Sequence, residues 1–178
     1  MKTNPLRNKL ALVVGLSIVA LFGIIAYAAT TVVIAVGTNS HSELLDGPAT
    51  VTFRTISFAP GEVAAWHYHP GPLFNVVTRG TVTVEDGCGE EQAFTVGQAF
   101  EEGGRVHRPK NLGAEDTFAY QVFIVPQGSP TTVNIPGNER RCGPPRNVSE
   151  CKGGWINFTH PRSFANQGDC IQYINTGQ

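Results

Sequence analysis

Between residues 49 and 125 the chain is cut into short runs that alternate or are β-branched, and each run is stopped by Gly, Pro or Asp. Such runs read as strands at residues 49–57, 64–68, 73–78, 81–85, 92–96, 99–102 and 117–125. Turns fall at Ala59-Pro60-Gly61, Thr78-Arg79-Gly80, Asp86-Gly87 and Val96-Gly97, each holding a residue that fixes or tolerates an unusual φ. Strands this closely spaced cannot bury themselves as an open ribbon, so the expected class is all-β, a sandwich or barrel. The 20 Gly and 12 Pro and a charged fraction of 15% suit that turn-rich reading better than a helical bundle.

The ends differ in character. Residues 10–36 contain no charge and follow Lys2, Arg7 and Lys9, so residues 1–37 are expected to be a signal peptide or membrane anchor, an apolar helix in contact with the membrane. At about 1.5 Å per residue the first twenty apolar positions suffice to cross about 30 Å of hydrocarbon. Ala26-Tyr27-Ala28 supplies a small-x-small cleavage pattern, so retention and cleavage both stay open. Either way the body of the chain is expected to be extracytoplasmic, secreted or anchored by that segment. A polar linker, 38–42, leads into a domain over 42–136. From Pro126 onward Gly and Pro recur, and residues 139–178 read as a small extension.

Of the thirteen Lys and Arg, three lie in the first nine residues, which leaves ten against fourteen acids. A mildly acidic domain has no general attraction for a polyanion, so nucleic acid is not an expected partner. Cys88, Cys142, Cys151 and Cys170 are even in number and lack the C-x2-C spacing of a zinc knuckle. In an oxidising compartment they are expected to form two disulfides. Of the three pairings open to them, Cys88–Cys142 with Cys151–Cys170 is favoured on the organisation of the chain, because it closes one loop from barrel to extension and one within the extension. In the chain-entropy view each is worth about 3–4 kcal/mol.

His67 and His69 stand at i and i+2 in a strand, which puts both on one face. His107 follows the Gly103-Gly104 turn, which can carry it opposite the pair. Several neutral imidazoles on one inward face are costly without a shared partner, and a divalent transition metal about 2.0–2.2 Å from each nitrogen is such a partner. By strand parity Trp66 and Tyr68 point the other way and read as packing. The alternating set Phe118, Tyr120, Val122 and Ile124 is expected to face the core. Arg105 and Arg108 flank His107 and read as a solvated turn, with attraction of an anion as the alternative.

Residues 61–80, with Gly61, His67, His69 and Gly80, resemble the first cupin motif. Residues 97–111, ending in Gly104, His107 and Asn111, resemble the second. The resemblance implies a single jelly-roll barrel that holds an Fe, Mn, Ni, Zn or Cu ion, and it assigns the ligand role to His67, His69 and His107. Where the family places a glutamate ligand, seven residues before Gly80, this chain has Leu73. Asn75, on the same inward face, is a substitute ligand through its amide oxygen, and Glu101 or Glu102 is another. Some cupin-fold oxygenases of thiols and diketones are similar in using three histidines alone. The Cys151-Lys152-Gly153-Gly154-Trp155 and Phe164-Ala165-Asn166-Gln167-Gly168-Asp169-Cys170 segments resemble a short C-terminal module of secreted bacterial proteins.

Two functions follow as expectations. One is a metal-dependent enzyme of the dioxygenase type acting on a small molecule, and the other is a non-catalytic extracytoplasmic module that holds a metal or small ligand. A germin-like manganese enzyme acting on oxalate normally needs the missing carboxylate. A second copy of the chain, in a homodimer, is an open partner. No general acid or base stands out beyond the histidines, so catalytic residues stay unassigned.

Overall fold

The computed structural model describes residues 29–137 and 141–178. The expected apolar N-terminal helix and its cleavage pattern lie outside the described residues. Among the described residues no helix is long and apolar enough to cross a membrane.

Among the described residues ten strands form two antiparallel five-stranded sheets: β1 (Thr30–Ser42), β2 (Gly47–Phe58), β3 (His67–Tyr68), β4 (Leu73–Arg79), β5 (Thr81–Asp86), β6 (Glu91–Thr95), β7 (Ala99–Glu102), β8 (His107–Lys110), β9 (Thr117–Pro126) and β10 (Val133–Asn134). The first sheet runs β1-β2-β9-β4-β7 and the second β10-β3-β8-β5-β6. Each consecutive run thus crosses between sheets more often than it pairs with its neighbour, which is the jelly-roll arrangement. The inner face of the first sheet carries Ile56, Phe58, Ala119, Leu73, Phe123 and Val125. Trp66 and Val106 pack with Ile135 in a separate cluster that Tyr68 borders, in line with the packing role expected of both aromatics.

Three sequence expectations change. Residues 30–42, read as the tail of the apolar segment and a linker, form β1, which pairs along most of β2. Thr30-Thr31-Val32-Val33-Ile34 is β-branched throughout, and that favours a pleated strand once a partner edge is available. The run at 64–68 shortens to two residues, flanked by a bridge between Val63 and Lys110. Ala64 donates to the Pro109 carbonyl at 3.0 Å, but Pro109 has no N–H to return the bond, so the ladder is incomplete there. On β9, Phe118 and Tyr120 are exposed and Val122 and Ile124 only partly buried, while Thr117, Ala119, Gln121, Phe123 and Val125 face inward. Both faces of β9 are apolar toward its end, so alternation alone does not choose between them. Register does, because Phe123, Gln121 and Ala119 sit opposite Thr52, Arg54 and Ile56 on β2.

The extension carries two helices that the Gly and Pro content hides, α1 (Val148–Gly154) and α2 (Gln167–Thr176). Asn147 caps the first by accepting from Glu150 N at 3.0 Å, and Asn166 caps the second by accepting from Asp169 N at 2.9 Å. The disulfides are Cys88–Cys142 and Cys151–Cys170, the pairing expected from the organisation of the chain. Cys142, Cys151 and Cys170 pack with Phe158 and Phe164 into a small core of the extension's own.

The His-Pro-Gly-Pro turn after β3 lies hard against β9. A Cβ on Gly71 falls 2.1 Å from the Ile124 carbonyl oxygen, and that oxygen belongs to the backbone of a central strand. Gly71→Ala is therefore expected to destabilise the chain by about 1–3 kcal/mol through overpacking. Urea unfolding measures this, and an unchanged midpoint contradicts the close approach.

Candidate metal centre

The three histidines arrive from two neighbouring strands of the second sheet. His67 on β3 is the register partner of His107 on β8, so their side chains share a face, and His69 lies just beyond β3 with its N–H bonded to the Gly103 carbonyl at 3.0 Å. All three are buried, His69 with 1% of its surface exposed. Ring centroids lie 4.6–5.0 Å apart, and one ligand nitrogen from each falls within 4.8 Å of the others.

The outer hydrogen bonds decide what those nitrogens can do. Nδ1 of His67, His69 and His107 each lies 2.7 Å from a backbone carbonyl, that of Ala65, Thr131 and Arg105 respectively. A carbonyl can only accept, so Nδ1 carries the proton in every ring and Nε2 presents a lone pair. The Nε2 atoms of His69 and His107 are 3.2 Å apart. Two bare acceptors at that distance repel unless a cation lies between them. Ligands at about 2.1 Å from one ion, at right angles, stand about 3.0 Å apart, so the spacing fits adjacent positions on a transition metal.

Protonation does not supply that cation. Burial is the largest cause that holds the imidazoles down, to about 4 for His67, about 3 for His69 and about 4 for His107. For His67 and His69 neighbouring imidazoles add to the effect. Near neutral pH the trio is uncharged, as metal ligands must be.

A carboxylate stands beside the trio. Glu102 on β7 places Oε1 3.2 Å from His107 Nε2, and this oxygen is buried with no hydrogen-bond donor among the described residues. Burial raises its carboxyl above the usual range, and the strongest opposing influence is His67. One proton between Glu102 and His107 relieves that contact, yet His67 and His69 still face the space as acceptors. In the ladder of β4 and β7, Glu102 is paired with Leu73, the position where the first motif lacks its acid. Directly opposed residues share a face. The acid missing from one strand is therefore present on its neighbour. Glu101, the other acid named from the sequence, is exposed.

Asn75 lies near this carboxylate in a chain of side-chain hydrogen bonds across the first sheet. Its amide donates to Glu102 Oε2 at 3.0 Å, and its oxygen accepts from Gln121 Nε2 at 2.8 Å. Gln121 in turn accepts from Arg54 Nε at 2.7 Å. Arg54 and Gln121 were not singled out from the sequence. Their signal was a charged and an amide residue at inward-facing positions of strands whose neighbours there are Ile56, Phe58, Ala119 and Phe123.

Arg105 and Arg108 are not a solvated turn. Arg105 is largely buried and pairs with Asp86 at 3.1 Å and with Glu150 of α1 at 3.0 Å, while its carbonyl holds His107. Arg108 pairs with Glu85 at 2.8 Å and lies over the Trp66 ring at 4.3 Å. Both guanidinium groups are engaged within the protein, which removes them as anion anchors.

Two openings reach the centre. One, about 420 Å³, is lined by His67, His69, Glu102, Arg54, Glu62 and Gln121 among others. The other, about 660 Å³, reaches His107 and Glu102 beneath Pro144, Pro145 and Arg146 of the extension.

Residues 54–125 match the family described as Cupin domain. Among solved structures, a cupin superfamily protein from Desulfitobacterium hafniense is 13% identical with a TM-score of 0.42, over 55% of this chain and 78% of that one. A cupin domain from Bordetella pertussis is 20% identical with a TM-score of 0.45, over 57% of this chain and 98% of that one. An oxalate oxidase in complex with the substrate analogue glycolate is 22% identical with a TM-score of 0.42, and the match covers 48% of this chain and less than half, 46%, of the enzyme. No curated protein matches the chain.

The depressed imidazoles tie stability to pH. In the unfolded chain they return to about 6.5, so between that value and about 4 the unfolded state binds protons that the native metal-free state does not. Their contribution to stability is present in full above about 6.5 and is lost as pH falls toward 4 and below. Each adds a slope of about 1.4 kcal/mol per pH unit, while the raised carboxyl of Glu102 acts in the opposite sense. Urea midpoints of the metal-free protein at pH 7, 5.5 and 4.5 should fall in that order, and a flat series contradicts neutral buried rings.

Proposed function

Because residues 54–125 of this chain are a cupin domain, we propose that the protein binds one divalent transition metal through Nε2 of His67, His69 and His107 and takes a small-molecule ligand at the positions they leave open. The observation that carries this is the set of three Nδ1 contacts to backbone carbonyls, which turns every remaining lone pair toward one buried space. Imidazole donors suit Fe, Mn, Ni, Zn or Cu, and direct measurement decides among them.

When bound, the metal supplies Lewis acidity and, if iron, manganese or copper, a redox centre for dioxygen chemistry. The protein's own part is positional. The carbonyls of Ala65, Thr131 and Arg105 fix the ring planes, and Asn75 fixes Glu102. Of the two functional classes, we favour a metal-dependent oxidoreductase of the dioxygenase type, because two openings reach a centre whose three fixed ligands leave positions for substrate and oxygen. We further propose that the domain works outside the cytoplasm. Four cysteines, all paired, and the charge-free stretch after a basic N-terminus support that placement.

Metal analysis by ICP-MS of the purified chain, metal-free and reloaded, should find about one ion per chain. His67→Ala and His69→Ala should each weaken retention against a chelator by about a hundredfold or more, since each removes a ligand. Oxygen uptake by the iron-loaded protein against thiols, diketones and flavonols should then disappear in His67→Ala. Retention of metal without uptake on any substrate places the protein in the binding-module class, and absence of any loadable ion removes the proposal.

A further inference from the structure

Among the described residues Arg54 forms no direct ion pair beside the centre, and the acid that acts on it, Glu102, does so at longer range. Arg54 projects from β2 into the opening that His67, His69 and Glu102 line. Its guanidinium lies 4.2 Å from the centroid of the Phe123 ring, the same ring against which His69 packs edge-on at 5.3 Å. Gln121 holds Nε, so the plane of the guanidinium is fixed from behind. Among the described residues no group accepts from its two Nη atoms, and no carboxylate lies within ion-pair distance of it. Glu102, the acid nearest in the hydrogen-bond chain, already accepts from Asn75.

Burying part of a guanidinium against a ring and beside three imidazoles is unfavourable unless an anion returns the lost solvation. Glu102 in the opening acts on Arg54 only at longer range, and no described group meets the Nη atoms directly. The opening's other acid, Glu62, accepts from the Ala59 N–H at 2.8 Å in the preceding turn. With a dication at the three histidines, that ion and Arg54 together outweigh the carboxylates of Glu62 and Glu102 by one charge. A ligand bearing one negative charge balances the site.

On these grounds, and resting on the metal reading above, we infer that Arg54 anchors the ligand: the small molecule is a monoanion, a carboxylate in particular, whose charged end bridges the two Nη groups while a second donor atom reaches the metal. A planar, bidentate match between guanidinium and carboxylate gives orientation as well as affinity, and Gln121, Asn75 and Glu102 set the distance between anchor and metal. Arg54 is then a substrate-binding residue, and Gln121 a positioning one.

The test uses the full chain loaded with Co(II), whose visible absorption reports changes at the ion. It is titrated with lactate, pyruvate and thiolactate and with the matching amides, which keep the shape and remove the charge. The wild type should bind at least one acid about tenfold or more tightly than its amide. Arg54→Gln should bring that acid down to the level of its amide while cobalt content and amide affinity stay as they were, and Arg54→Lys should recover part of the preference because it keeps the charge without the fork. If no acid is preferred over its amide in the wild type, or if Arg54→Gln leaves the preference intact, the anchor is wrong while the metal site stands. If the wild type takes up no cobalt, the metal reading fails and the anchor falls with it. Circular dichroism melts of the variants identify any loss that comes from unfolding, and Arg54→Met then serves as an apolar replacement that packs on Phe123.

Discussion

Three peptide carbonyls govern this centre. By accepting from the Nδ1–H of each histidine they leave the rings no freedom of tautomer, and the barrel turns the opposite nitrogens inward. Folding thereby brings together groups that repel one another, and burial denies them the protons that elsewhere relieve such crowding. What is unfavourable for the empty chain becomes affinity when a cation enters, since the ligands need no reorganisation to receive it. The antiparallel partnership of β3 and β8, which sets His67 opposite His107, contributes to this convergence.

The acid at the centre shows how a sheet can bring a charge to one space from either of two strands. Leu73 and Glu102 face each other across the β4–β7 ladder, and either strand can deliver a side chain to the same space. With leucine on β4, the inner face at that level stays apolar and packs with Phe123 and Val125. Glutamate on β7 in turn comes under the control of Asn75 and, through it, Gln121 and Arg54. These four residues lie on adjacent strands, β2, β9, β4 and β7, so a row of polar side chains crosses an otherwise hydrophobic floor.

Much of this was legible in the residues. Turn chemistry and alternation located the central strands because Gly and Pro at the turns have local causes. The i, i+2 spacing of His67 and His69 is a strand property, so their shared face could be read directly, and the two motif segments brought in His107. The disulfide pairing followed from chain organisation. What stayed hidden depended on pairing between distant strands: the register that sets Glu102 opposite Leu73, the choice of face on β9, and the inward turn of Arg54. The helices of the extension were concealed for another reason. Their caps, Asn147 with Glu150 and Asn166 with Asp169, have the spacing of a helix start, but the surrounding Gly and Pro outweighed them.

The third histidine is held from outside the barrel. Val106 N donates to the Gly143 carbonyl at 2.9 Å, and the side chain of Arg105 is gripped by Glu150, so the two residues just before His107 are both tied to the C-terminal extension. The carbonyls that orient the three imidazoles, those of Ala65, Thr131 and Arg105, all precede residue 137, but Arg105 and Val106 also lean on residues about forty positions further along the chain. The aim of one ligand in three is thereby tied to a part of the chain that lies outside the barrel.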